Sequence, residues 1–135
     1  MRRIAVFFYG LFMDETLLRA KGVASTELRP AVVRGFTLRI GERATLVALD
    51  GHRVHGMLTS LSHAELDRLY SEPSLADYRP EAVIVDVPGG DAVSALCYNL
   101  IELPSLQAHN PEYAARLRAL AERLGFPADY VASIR

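Results

Sequence analysis

Ala5-Val6-Phe7-Phe8-Tyr9-Gly10-Leu11-Phe12-Met13-Asp14 decides how the rest of the chain is read. Five apolar residues in a row, two of them aromatic, form a short buried strand over residues 3–8. The run stops at Tyr9-Gly10, and a helix follows almost at once. Residues 13–20 carry Asp14 and Glu15 in their first turn, where a helix dipole favours acids, and Gly22 lies just past their end. A buried strand that breaks at glycine beside a helix start leaves backbone N–H groups in a tight turn. Such a turn suits an anion or a developing oxyanion.

Outward from this stretch, strand signals dominate. Residues 31–40 are β-rich, with Gly35 placed for a bulge or bend. Gly41-Glu42-Arg43 is a turn. Residues 44–49 read as a strand, Asp50-Gly51 as a hairpin turn, and residues 52–59 as the returning strand. Residues 81–87 and 92–100 pair as a second hairpin about Pro88-Gly89-Gly90-Asp91. Two further helices are expected. Residues 62–70 open with Ser62 and carry Glu65 three positions later, a capping box. Residues 111–124 have Asn110 as N-cap, Pro111 at the first helical position and Gly125 at the end. The stripe Tyr113, Leu117, Leu120 and Leu124 is expected to face the core. Residues 71–80 are expected to be a polar loop. Many hairpin strands with few helices point to an α+β fold built on a bent or closed, mostly antiparallel sheet.

Composition narrows the class of protein. The 135 residues are 50% hydrophobic and 23% charged, a globular balance that fits a single domain over residues 1–135. Net charge is −1, and the basic residues are scattered arginines with Lys21 as the sole lysine, so no nucleic-acid footprint is expected. No run reaches the roughly 18 apolar residues of a membrane span, and the first stretch is too short for a signal peptide. A cytoplasmic location is expected. The single Cys97 sits in an apolar run and reads as a buried structural thiol. His52, His55, His63 and His109 share no metal-binding spacing, and neither a nucleophile elbow nor a phosphate-loop motif is present. No cofactor and no metal are expected. The remaining chemistry belongs to carboxylates. Glu72, just past a helix in Ser71-Glu72-Pro73-Ser74, is the candidate acid/base, with Glu81 a weaker competitor and Glu65 explained by its capping role.

An ordered series of segments resembles the gamma-glutamylcyclotransferase-like superfamily. Tyr9-Gly10 after an apolar strand is similar to that family's Tyr-Gly-Ser/Thr-Leu opening. Val54-His55-Gly56-Met57-Leu58 is similar to its Val-x-Gly-x-Leu/Val-Tyr strand. Leu69-Tyr70-Ser71-Glu72 falls where the family carries Leu-Asp-x-x-Glu-Gly. Tyr78-Arg79 before Ala82-Val83-Ile84-Val85, and Ala95-Leu96-Cys97-Tyr98, resemble its later strands. The resemblance implies a small mixed, barrel-like sheet with flanking helices and a cavity at the Tyr-Gly loop. It also implies a small-molecule gamma-glutamyl substrate whose α-amine attacks its own γ-carbonyl, releasing 5-oxoproline and an amine. In that scheme Tyr9, Gly10, Leu11 and Phe12 form the binding loop, Glu72 moves the proton, and Tyr78 and Tyr98 line the cavity. Two departures stand out. Leu11-Phe12 replaces the hydroxyl-bearing pair, and the glutamate segment is one residue short. In a second register, Leu66-Asp67 is the Leu-Asp pair and Tyr70, not a carboxylate, takes the catalytic position. Both registers remain open at the level of sequence, as does a catalytically silent member of the same fold that binds a small acidic metabolite or a protein partner.

Overall fold

The computed structural model describes residues 2–23 and 27–135. Five strands and four α-helices follow the order β1 (Ile4–Phe8), α1 (Glu15–Ala20), β2 (Arg29–Ile40), β3 (Ala44–Leu61), α2 (His63–Tyr70), β4 (Tyr78–Val85), β5 (Val93–Leu100), α3 (Pro111–Arg123) and α4 (Ala128–Ser133). Short 3-10 turns at Leu11–Met13 and Pro73–Leu75 precede α1 and β4.

The sheet order is β2-β3-β1-β5-β4. The strand β1 is central. It runs antiparallel to β3, from Ile4 opposite Leu61 to Phe8 opposite Met57, and parallel to β5, with Val6 opposite Leu96. Burial of the successive residues Val6, Phe7 and Phe8 explains its unbroken apolar sequence, since a strand covered on both faces has no polar side to alternate with. Val32 and Asp86 exchange two backbone hydrogen bonds of 2.9 and 2.8 Å, and the Asp86 carboxylate takes one at 2.7 Å from Arg34. This bridge joins the outer strand β2 to the residue after β4, so the sheet curls into a barrel-like layer and its edges are covered. The fold is α+β, as expected.

Two expectations need correction. Asp50-Gly51 does not reverse the chain. The strand β3 continues through it for 18 residues, and the reversal lies at residues 41–43. The pairing passes from Arg34 opposite Arg53 to Phe36 opposite Ala48, so Gly35 faces four residues of β3. Gly35 and Gly51 both have positive φ, 83° and 82°, which lets both strands bend together at this irregularity. A turn-forming pair has been used to bend a ribbon rather than end it. The second correction concerns residues 71–80. This segment holds the 3-10 turn, and β4 starts at Tyr78, three residues earlier than expected.

The helices begin where their caps dictate. Asp14 accepts from Thr16 N–H at 2.9 Å, and Ser62 and Glu65 complete the reciprocal capping box at 3.2 and 2.9 Å. Asn110 accepts from Tyr113 N–H at 3.1 Å and donates to the Glu42 carbonyl at 3.0 Å, which ties the start of α3 to the β2–β3 turn. The core gathers Val6, Phe7, Leu18, Leu58, Leu69 and Leu117 among others. Of the expected α3 stripe, Leu117 and Leu120 are buried together with Ala114 and Ala121, whereas Tyr113 and Leu124 are only half-buried. The short α4 carries no strong sequence signal, and it packs back onto the molecule through Phe126, Tyr130 and Ile134. Among the described residues, no helix is long and apolar enough to cross a membrane.

Candidate active site

Where β1 ends, Tyr9 and Gly10 feed the 3-10 turn. Met13 N–H donates to the Gly10 carbonyl at 3.1 Å and Asp14 N–H to the Leu11 carbonyl at 3.0 Å. A side chain at Gly10 has no room: a Cβ there would lie 2.7 Å from the Tyr113 hydroxyl. The glycine is needed for that close approach of α3.

Beside the loop lies a cavity of about 460 Å³. Tyr9, Gly10, Leu11, Phe12, Glu72, Tyr78 and Tyr98, the positions singled out from the sequence, all line it. Tyr70, Tyr113, Lys21, Arg43 and Arg116 line it as well. The wall is aromatic and orderly. Tyr70 stacks on Tyr98 with ring centroids 3.8 Å apart and 12° between planes, and Phe12 meets the Tyr70 ring edge-on at 5.7 Å. Such geometry adds attraction beyond simple burial and fixes the rings in place.

Two of the tyrosine hydroxyls donate to backbone carbonyls, Tyr9 to Tyr98 at 2.8 Å and Tyr78 to Ala44. Tyr9 thereby ties the end of β1 to β5, and Tyr78 ties β4 to the start of β3. Burial pushes Tyr9 and Tyr70 well above the ordinary phenol value and Tyr78 up to about 12, so these groups stay protonated and act as donors, not bases. Cys97 is buried in β5 and its thiol is pushed up by the same desolvation, the environment of an inert structural thiol.

The carboxylates separate clearly. Glu72 lies two residues past α2, at the cavity rim, with its side chain 40% exposed. One oxygen pairs with the Lys21 ammonium and the other accepts from the Ser74 hydroxyl at 3.5 Å. Glu81 does not line the cavity, and it accepts from Asn99 Nδ2 at 2.9 Å. Glu65 caps α2 and pairs with Arg3 at 3.2 Å. Tyr70, the residue of the second register, ends α2 and lines the same cavity as Glu72. Among the cations, Arg43 is committed to Asp77 at 3.0 Å and to the Ser74 carbonyl at 3.0 Å.

Sequence reading missed Lys21, Arg43, Tyr113 and Arg116. The solitary lysine was visible as an oddity, but its approach to Glu72 joins residues 51 positions apart. Tyr113 and Arg116 are one helical turn apart, a spacing that puts both on one face of α3.

Comparison with known proteins agrees with this fold. The gamma-glutamyl cyclotransferase, AIG2-like family model matches residues 6–116. A search of curated proteins finds no match. Among solved structures, YkqA from Bacillus subtilis superposes with a TM-score of 0.81 at 24% identity, covering 98% of this chain and 52% of that one. The chain thus spans about half the length of that relative. A structure described as a gamma-glutamyl cyclotransferase gives 0.80 at 18% identity, covering 99% and 89% of the two chains. A yeast gamma-glutamyl cyclotransferase specific to glutathione gives 0.69 at 14% identity, covering 99% and 94%. At these identities the likeness speaks to the fold, and the family match carries the membership: this chain belongs to the gamma-glutamyl cyclotransferase, AIG2-like family.

Proposed function

We propose that the protein is a cyclotransferase acting on a small gamma-glutamyl amine or amide, with Glu72 as its acid/base. The observation that carries this reading is that the Tyr9-Gly10 loop and the Glu72 carboxylate share one cavity of substrate size. The nucleophile is already tethered to the electrophile, so the site has only to hold a cyclisation geometry and move one proton. The substrate α-amine attacks the γ-carbonyl carbon, and Glu72 takes the amine proton. The γ C–N bond then breaks, Glu72 returns that proton to the leaving amine, and 5-oxoproline remains. Lys21 holds the carboxylate in position at the rim. No step calls for a cofactor.

A second reading, a silent binder of a small acidic metabolite or of a protein partner, has its own support: Glu72 is already ion-paired with Lys21. One experiment separates the two. Release of 5-oxoproline from a panel of gamma-glutamyl amines and dipeptides is measured for wild type and Glu72→Gln. Loss of acid/base catalysis is expected to lower turnover by about 10²- to 10⁴-fold. Equal turnover by both moves the base elsewhere. Silence from both, with ligand binding retained, favours the binder.

A further inference from the structure

Five of the six tyrosines line the cavity, and their hydroxyls fall into two groups. Those of Tyr9 and Tyr78 donate to backbone carbonyls, and that of Tyr113 is packed against Gly10. Those of Tyr70 and Tyr98 make no hydrogen bond among the described residues. The two differ in where they stand. The charged neighbour that Tyr98 feels is Asp67, on the exposed side of α2. The groups that Tyr70 feels are Cys97, Tyr98, Tyr78 and Tyr113, with no carboxylate among them. Stacking on Tyr98 and the edge contact with Phe12 leave the Tyr70 ring no freedom to swing away. An interior O–H donor without a protein partner, locked in orientation and open to a cavity, is an unfilled position for an acceptor.

We propose that the Tyr70 hydroxyl is a catalytic donor that hydrogen-bonds the γ-carbonyl oxygen of the gamma-glutamyl group and stabilises the charge that develops there. This rests on the cyclotransferase reading and adds to it a residue that binds the reacting atom. The balance is simple. The attacking nitrogen adds to the carbonyl carbon, and the oxygen gains negative charge while accepting from Tyr70. Collapse restores C=O as the amide bond breaks, and Tyr70 keeps its proton throughout. Its burial suits that role, because a phenol that stays neutral is a donor at every pH at which the carboxylate works.

The test is Tyr70→Phe, which keeps the ring and its stacking, beside Tyr130→Phe, which removes a buried hydroxyl outside the cavity. Removing one donor to a developing oxyanion is expected to lower kcat about 10²- to 10³-fold, with KM changed less than about threefold and the melting temperature retained. Tyr130→Phe is expected to stay within about threefold of wild type. Binding gives an independent reading. The affinity of Tyr70→Phe for 5-oxoproline, which carries the carbonyl, is expected to fall about tenfold, with cyclopentanecarboxylate, which lacks it, unaffected. Tyr70→Phe with wild-type turnover, or an equal loss of both ligands, overturns the proposal and leaves the cyclotransferase reading intact. Wild type that neither turns over the panel nor binds 5-oxoproline removes that reading, and this inference falls with it.

Discussion

Two aromatic clusters of this molecule look alike in sequence and differ in what they do. The first surrounds the cavity, with Tyr70 stacked on Tyr98 and Phe12 against the edge. The second holds α4 to β3, where the His55 ring lies 4.8 Å from Tyr130 and 5.9 Å from Phe126, and Phe126 and Tyr130 sit edge to face at 6.2 Å. Ring content is similar. The second cluster is filled by its own side chains and clamps a short helix. The first surrounds space, with charges at its rim and two hydroxyls to spare. Aromatic density therefore does not mark the site. Open volume combined with unused hydrogen-bonding capacity does.

The contrast is sharpest where truncation should separate stability from activity. Phe126→Ala is expected to cost about 3–5 kcal/mol of stability by emptying the α4 clamp, with kcat/KM of the folded fraction near wild type. Denaturant unfolding combined with kinetics checks this. A large kinetic defect at full occupancy of the folded state would break the comparison, because the clamp would then belong to the site.

Gly10→Ala acts on the other cluster. Its Cβ meets the Tyr113 hydroxyl at 2.7 Å, so α3 or the loop must shift. Overpacking of this kind is expected to cost about 1–3 kcal/mol, and activity should fall with it. The double variant Gly10→Ala/Tyr113→Phe, which removes the colliding oxygen, should recover much of the stability. Non-additivity in a double-mutant cycle is the measurement, and strict additivity would place the strain elsewhere.

The smallest effect is a pH dependence confined to the clamp. Burial lowers the His55 pKa below its ordinary 6.5, Arg53 lowers it further, and Asp129 opposes both. The folded state thus binds that proton less readily than the unfolded chain. Its contribution is complete above about pH 6.5 and is lost as pH falls through the lowered folded value. The slope from one group cannot exceed about 1.4 kcal/mol per pH unit, and it should be shallower at a half-exposed site. Unfolding followed between pH 5 and 8 should show this decline in wild type and a flatter line in His55→Gln. Identical curves would detach His55 from the coupling.

Much of the fold was legible in local signals. A capping box, an Asn-Pro helix start and an unbroken apolar strand are decided by neighbours a few residues apart, so Ser62, Asn110 and Ala5 to Phe8 could be read directly. Asp50-Gly51 misled because the same positive-φ preference serves a hairpin turn and a bulge. Only the partner strand, with Gly35 opposite, decides between them. The loop half of the site was readable in the same way, since Tyr9 and Gly10 end a strand whose burial is written in its own residues.

What the sequence determined by itself was the class of the fold, the starts of α2 and α3 and part of the cavity lining. What only the tertiary structure decided was their company. Lys21 reaches Glu72, Tyr113 reaches Gly10, and Tyr70 is set on Tyr98 by contacts between distant segments. A slip of one residue near the end of α2 turns a side chain by about 100°, so local pattern could not choose between Glu72 and Tyr70. Stacking on Tyr98 sets Tyr70, and pairing with Lys21 sets Glu72, so that both side chains line one cavity.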